Sequence, residues 1–110
     1  MFSPELKKGS LELLILTLLA EEPRHGYEIG RLIESRSRGN LKFRVTSLYP
    51  VLYRMEKKGW LTSRWVEQEG ERRRNYYRLT PRGTRVLREQ RRRWRDFISA
   101  IDLVIGIDHA

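Results

Sequence analysis

The spacing of apolar and polar positions along the 110-residue chain changes period after residue 59 and again after residue 80. Leu11, Leu14, Ile15, Leu18 and Leu19 recur at helical spacing and predict a first helix from about Leu11 to Glu21, with Ser10 as its cap. Leu13 and Leu16 are apolar too, so this helix is nearly surrounded by apolar side chains, a hint of burial by a second subunit. Residues 1–8 read as a frayed end or an arm, and Pro23 stops the helix. His25-Gly26-Tyr27 opens a second helix to about Ser37, with Ile29, Leu32 and Ile33 inward and Arg31, Glu34 and Arg36 outward. Gly39-Asn40 marks a turn, and Leu41–Val45 is a connector longer than the tight turn of a minimal helix-turn-helix.

The third helix, Val45 to Gly59, organises the rest. Thr46 or Ser47 can cap it, Pro50 falls within its first turn, and Gly59 supplies its stop. Leu48, Val51, Leu52 and Met55 form its inner face, while Ser47, Tyr49, Tyr53, Arg54, Lys57 and Lys58 lie on the others. An apolar back with a polar, aromatic and basic front suits entry into a DNA major groove, although an ordinary surface helix has the same pattern. After Gly59 the period becomes two. Trp60–Glu67 and Arg72–Thr80 alternate as strands, joined by a glycine-containing connection at Gln68-Glu69-Gly70-Glu71. Leu61 and Trp65 share one face of the first strand. Asn75, Tyr77 and Leu79 oppose Arg74, Tyr76 and Arg78 on the second.

Thr80-Pro81 then starts a long helix, with Thr80 as cap and Pro81 at its first position, running to about Ile105. Its stripe of Leu87, Trp94, Phe97, Ile98, Ile101, Val104 and Ile105 is close to a heptad seam, too long to bury on so small a body without a partner. The predicted fold class is mainly α with a small β-hairpin. It comprises a winged helix-turn-helix DNA-binding domain over residues 1–80 and a C-terminal dimerisation helix over 81–110.

Charge sharpens this picture. The chain carries 23 Lys and Arg against 14 Asp and Glu, a net of +9, which favours a polyanionic partner. The excess is spread through the chain and forms no basic tail: 11 basic to 7 acidic groups in residues 1–60, 5 to 3 in 61–80, and 7 to 4 in 81–110. The absence of cysteine excludes disulfide scaffolds and thiolate metal sites. A secretory signal is rejected, because a small-residue cleavage site is missing and Glu21–Glu22 follow the apolar run directly. That run is too short to span a bilayer, so no membrane partner is expected and a cytoplasmic location is. His25 and His109 are far apart with no adjacent ligand set, and no nucleophile–base–orienter set appears. Neither a metal, a cofactor nor an enzyme is expected.

The segments KGSLELLILTLL, HGYEI, TSLYPVLYRMEKKGWL and GERRRNYYRLTPRG resemble the signature segments of PadR-like transcriptional regulators, in order and spacing, over about residues 8 to 100. The resemblance implies a homodimeric bacterial repressor that places two recognition helices in successive major grooves of a pseudo-palindromic operator on double-stranded DNA, with wings on the flanking backbone. A single helix after the wing is similar to the short members of the family. That makes the phenolic-acid sensing of longer relatives less transferable.

The candidate DNA-binding residues are Lys42, Arg44, Thr46, Ser47, Tyr49, Arg54, Arg72, Arg73 and Arg74. Ser47 and Tyr49 are similar to the family's groove-facing residues, against the alternatives that Ser47 is a cap and Tyr49 packs on the wing. Arg72, Arg73 and Arg74 are adjacent guanidiniums that repel one another unless an anion is present, with Glu69 and Glu71 as partial neutralisers. They supply affinity, not sequence reading. Lys57, Lys58 and Arg91–Arg93 read as solvated, and Tyr27 either touches a phosphate or packs inside. Trp94 is either dimer core or, with Phe97 and Ile98, the lining of a site for a planar aromatic effector, as in multidrug-sensing relatives. A sequence-neutral nucleic-acid binder and a winged-helix protein-interaction adaptor are the alternative functions.

Overall fold

The computed structural model describes residues 4–67, 70 and 72–107, the first five of them by backbone alone. Its elements are α1 (Pro4–Glu21), β1 (Arg24–His25), α2 (Gly26–Arg36), α3 (Val45–Lys57), β2 (Leu61–Val66), β3 (Arg74–Leu79) and α4 (Pro81–Ile105). The sheet is antiparallel in the order β1-β3-β2. The expected hairpin pairs Leu61 with Leu79 through to Val66 with Arg74. The third strand, β1, was not expected: Arg24 pairs with Tyr77 and His25 with Tyr76. Two residues show no periodicity, so their pairing is set by the chain that comes to lie beside them. The central part of the expected hairpin connection, Gln68, Glu69 and Glu71, lies outside the described residues.

Three local expectations are corrected. The first helix begins at Pro4, not after Ser10, because proline fits a first turn and the Glu-Leu-Lys-Lys run after it favours helix. Neither Thr46 nor Ser47 caps α3; the cap position is Arg44, with no side-chain bond, and the N–H groups of Ser47 and Leu48 bond to the Arg44 carbonyl instead. Pro50 therefore stands at the sixth helical position, beyond the first turn. There its missing N–H takes one bond from the interior of the helix, a cost that tertiary packing must offset.

The core lies where α1, α2 and α3 meet under the sheet. Ile15, Leu16, Ile29, Leu48, Leu52 and Met55 are fully buried. Leu87 carries the start of α4 into the same cluster, while Leu13 and Leu14 of α1 are only partly buried. Arg24 is also buried, at 7% exposure. Its guanidinium donates to the Leu18 carbonyl and pairs with Glu21, Glu22 and Glu28. Arg36 forks onto Glu21 with two 2.7 Å bonds, tying the end of α2 to that of α1. Together the two guanidiniums, Arg36 first, hold the Glu21 carboxyl down at about 2.

Candidate nucleic-acid interface

The third helix is seated by its back. Leu48, Leu52 and Met55 have no exposed surface, and Val51 is half-buried beside them. Its front, Val45, Thr46, Ser47, Tyr49, Pro50, Tyr53 and Arg54, is exposed, as are Lys42 and Arg44 just before it. Every candidate on or before α3 thus reaches solvent. Tyr49 does so with a constraint. Its ring lies over Gly26 at the start of α2, so close that a Cβ there would stand 2.8 Å from Cζ and 2.9 Å from the hydroxyl oxygen. Tyr49 packs on the start of α2, and 41% of it remains exposed.

The end of α3 is anchored differently. Lys58 sits 4.6 Å from the Trp60 ring and 3.7 Å from a Glu12 oxygen, and Lys57 lies 5.1 Å from the Tyr53 ring. Both lysines are exposed, but each is held against a neighbour. On the inner face of the wing the Ser63 hydroxyl donates to Glu56 Oε2 at 2.7 Å, joining β2 to α3. Burial pushes the neighbouring Tyr77 phenol above its ordinary value, and the Glu56 and Tyr49 charges add to that.

The wing arginines diverge. Arg72 and Arg73 are exposed, and Arg74 is half-buried at the first position of β3. Successive side chains on a strand point to opposite faces. The Arg73 guanidinium accordingly lies 5.3 Å from the Trp65 ring, while that of Arg74 lies 5.8 Å from the Tyr27 ring. Two of the three guanidiniums thus lie against different aromatic rings, which takes them apart from one another. The expected neutralisers Glu69 and Glu71 lie outside the described residues.

A cluster that the sequence reading did not assemble joins α2 to the wing. His25 is the N-cap of α2, its Nδ1 accepting from the Glu28 N–H at 3.2 Å. Its ring stacks with Tyr27 at 6.4 Å and meets Tyr76 edge-on at 5.3 Å. Burial holds the imidazole below its ordinary 6.5, and the Arg74 charge adds to this; Glu28 opposes both, and Arg31 acts with Arg74. The field at this corner is positive.

On α4, Trp94 is half-buried and packs edge-to-face on Phe97, with ring centroids 6.1 Å apart. Phe97 and Ile98 are 58% and 46% exposed, so the effector candidates adjoin one another on an open helix face.

The model of the transcriptional regulator PadR-like family matches residues 15–89, from the middle of α1 into α4. This chain belongs to that family. The PadR-like proteins are transcriptional regulators, not enzymes. A transcriptional regulator of Mycobacterium tuberculosis is 35% identical over 88 residues, which cover 80% of this chain and 78% of that protein. The solved structure of a transcriptional regulator from Clostridium thermocellum matches with a TM-score of 0.85 at 30% identity, covering 93% of this chain and 96% of that one. PadR of Bacillus subtilis, solved in complex with operator DNA, matches with a TM-score of 0.67 at 25% identity over 73% of this chain and 46% of that one. The PadR-like match takes in α3, the wing and the first turns of α4. Among the described residues, no helix is long and apolar enough to cross a membrane.

Proposed function

We propose that this PadR-family protein is a sequence-specific DNA-binding repressor that works as a homodimer. The front of α3 enters the major groove of an operator and the wing arginines grip the flanking backbone. One observation carries this reading: a helix locked into the core by Leu48, Leu52 and Met55 leaves its polar front exposed, beside a wing that presents Arg72 and Arg73 to solvent. The operator complex of the Bacillus subtilis relative supports DNA as the partner. Residues 1–80 act as the DNA-binding unit and 81–110 as the dimerisation helix. Gly83 and Leu87 are buried in the body and anchor that helix at its start.

The test compares a duplex from upstream of the protein's own coding region with random duplex. Ser47→Ala costs about 1–3 kcal/mol on the operator and less on random DNA, the signature of a base contact. Arg72→Ala or Arg73→Ala weakens both alike and lowers the salt slope by about one unit for each lost phosphate contact. Equal losses on both duplexes for Ser47→Ala make the protein a sequence-neutral binder. Repression is released by a planar aromatic effector at Trp94, Phe97 and Ile98 of the paired α4 helices, since stacking on indoles buries a large flat surface. Tryptophan quenching by planar dyes that is lost in Trp94→Ala supports this; quenching unchanged in that variant places the effector elsewhere.

A further inference from the structure

Tyr27, in the first turn of α2, is 53% exposed and carries two guanidiniums against its ring. Arg31 approaches from its own helix at 5.6 Å, and Arg74 from the wing at 5.8 Å. The first follows from i,i+4 spacing. The second follows from the pairing of β1 with β3, which sets His25 opposite Tyr76 and brings the loop end of β3, where Arg74 stands, over the start of α2. Among the described residues, neither Arg31 nor Arg74 has a carboxylate at ion-pair distance. Glu28, between Tyr27 and Arg31, is engaged by the buried Arg24. Two like charges on one ring repel, and the ring offsets that only in part. An anion bridging them removes the repulsion. The corner also adjoins the front of α3, because the Tyr49 ring lies on Gly26, next to Tyr27 in the chain.

We propose that Tyr27, Arg31 and Arg74 form a clamp for one backbone phosphate of duplex DNA, placed between the groove that α3 enters and the flank that the wing touches. The clamp rests on the DNA-binding reading, adds Arg31 to it and turns the phosphate contact considered for Tyr27 into a positioning role; neither residue belongs to the recognition helix or the wing. Arg31 and Arg74 donate N–H bonds to the phosphate oxygens, a match between a planar fork and a tetrahedral anion. Tyr27 is a positioning residue: the two guanidiniums lie 5.6 and 5.8 Å from its ring centroid, so that a contact made from two elements is tied to one side chain.

The test is fluorescence anisotropy of the full chain with a labelled random-sequence duplex, titrated with salt. Arg31→Gln weakens binding about tenfold at low salt and lowers the salt slope by up to about one unit. Arg91→Gln, an equal loss of charge on α4, does so far less. Tyr27→Leu changes no charge yet weakens binding about threefold, and Tyr27→Phe, which keeps the ring, restores it. Thermal melting confirms that each variant is folded. If Arg72→Gln weakens binding while Arg31→Gln and Tyr27→Leu match wild type, the clamp falls and the DNA-binding reading stands. If Arg31→Gln and Arg91→Gln weaken binding equally, or Tyr27→Leu has no effect, the charge acts diffusely and the clamp is overturned. Wild type without salt-dependent duplex binding overturns both.

Discussion

His25 caps α2 through an unprotonated Nδ1, and protonating that nitrogen removes the acceptor. Burial together with Arg74 and Arg31 holds its folded value below the unfolded 6.5. A depressed folded value contributes stability that is fully present above the unfolded one and is lost as pH falls from there through the folded value. Glu21 follows the same sign in a lower window: its stabilisation is present above the unfolded carboxylate range and disappears as pH falls through about 2. Acid therefore destabilises the junction of α1 and α2 in two separate steps. Asn caps as well as any residue but does not titrate in this range. In His25→Asn, urea midpoints measured from neutral pH down to the carboxylate range should lose the first step and keep the second. A first step that persists in the variant would assign it to another group.

At the scale of the element, the start of α4 is the most constrained join. Thr80 Oγ1 accepts from the Gly83 N–H at 3.0 Å, and its hydroxyl donates to the Gly59 carbonyl at 2.6 Å. One side chain thus caps α4 and also satisfies the turn that ends α3. Gly83 faces the same strand entrance so closely that a Cβ would stand 2.1 Å from the Trp60 carbonyl oxygen. Thr80→Ala should cost about 1 kcal/mol as a lost cap. Gly83→Ala should cost more, about 3 kcal/mol, because backbone meets backbone and neither side can rotate away. Chemical denaturation that ranks the two in the opposite order would show that α4 shifts to make room. Both variants act on the angle at which α4 leaves the body, so under the proposed function each should also alter operator affinity.

At the scale of the whole molecule, the chain measures 54 × 30 × 23 Å. From Arg91 to Ile107 all residues but Trp94 and Asp102 are exposed, and Leu103 and Val104 are each 86% exposed. Phe97, Ile98, Ile101, Val104 and Ile105 make a contiguous apolar stripe, and stripes of that size mark interaction surfaces. Sedimentation at micromolar concentration should give about twice the 13.2 kDa chain mass. Ile101→Glu with Val104→Glu should give the chain mass while still unfolding in one cooperative transition. A wild-type chain that sediments as a stable monomer would remove the dimer and, with it, the spacing of recognition helices that a palindromic operator requires.

The elements whose signal is local were legible in the residues. The periodicity of Leu48, Leu52 and Met55 marked the seated face of α3. Alternation through Leu61–Val66 and Arg74–Leu79 marked the wing. Thr80-Pro81 marked the start of α4 to the residue. Each is set by side chains within a turn or two of one another, so a single chain carries the information. Capping of α3 was not legible, because Thr46 and Ser47 are competent caps and Pro50 looks like a first-turn residue. The burial of Leu48 and Leu52 fixes where the helix begins and outweighs both local preferences. Strand β1 and the corner of His25, Tyr27, Arg31, Arg74 and Tyr76 were beyond reach for a further reason. Its members stand about fifty positions apart, on β1 and α2 and on β3; Arg74 reads with the wing and Tyr27 as a phosphate contact or a core residue, but nothing in the spacing joins them. The β1–β3 pairing brings them together, and backbone pairing between distant segments leaves no spacing in the sequence to read. The residue types of the candidate interface were written in the chain; which of them share one corner was decided by the tertiary fold.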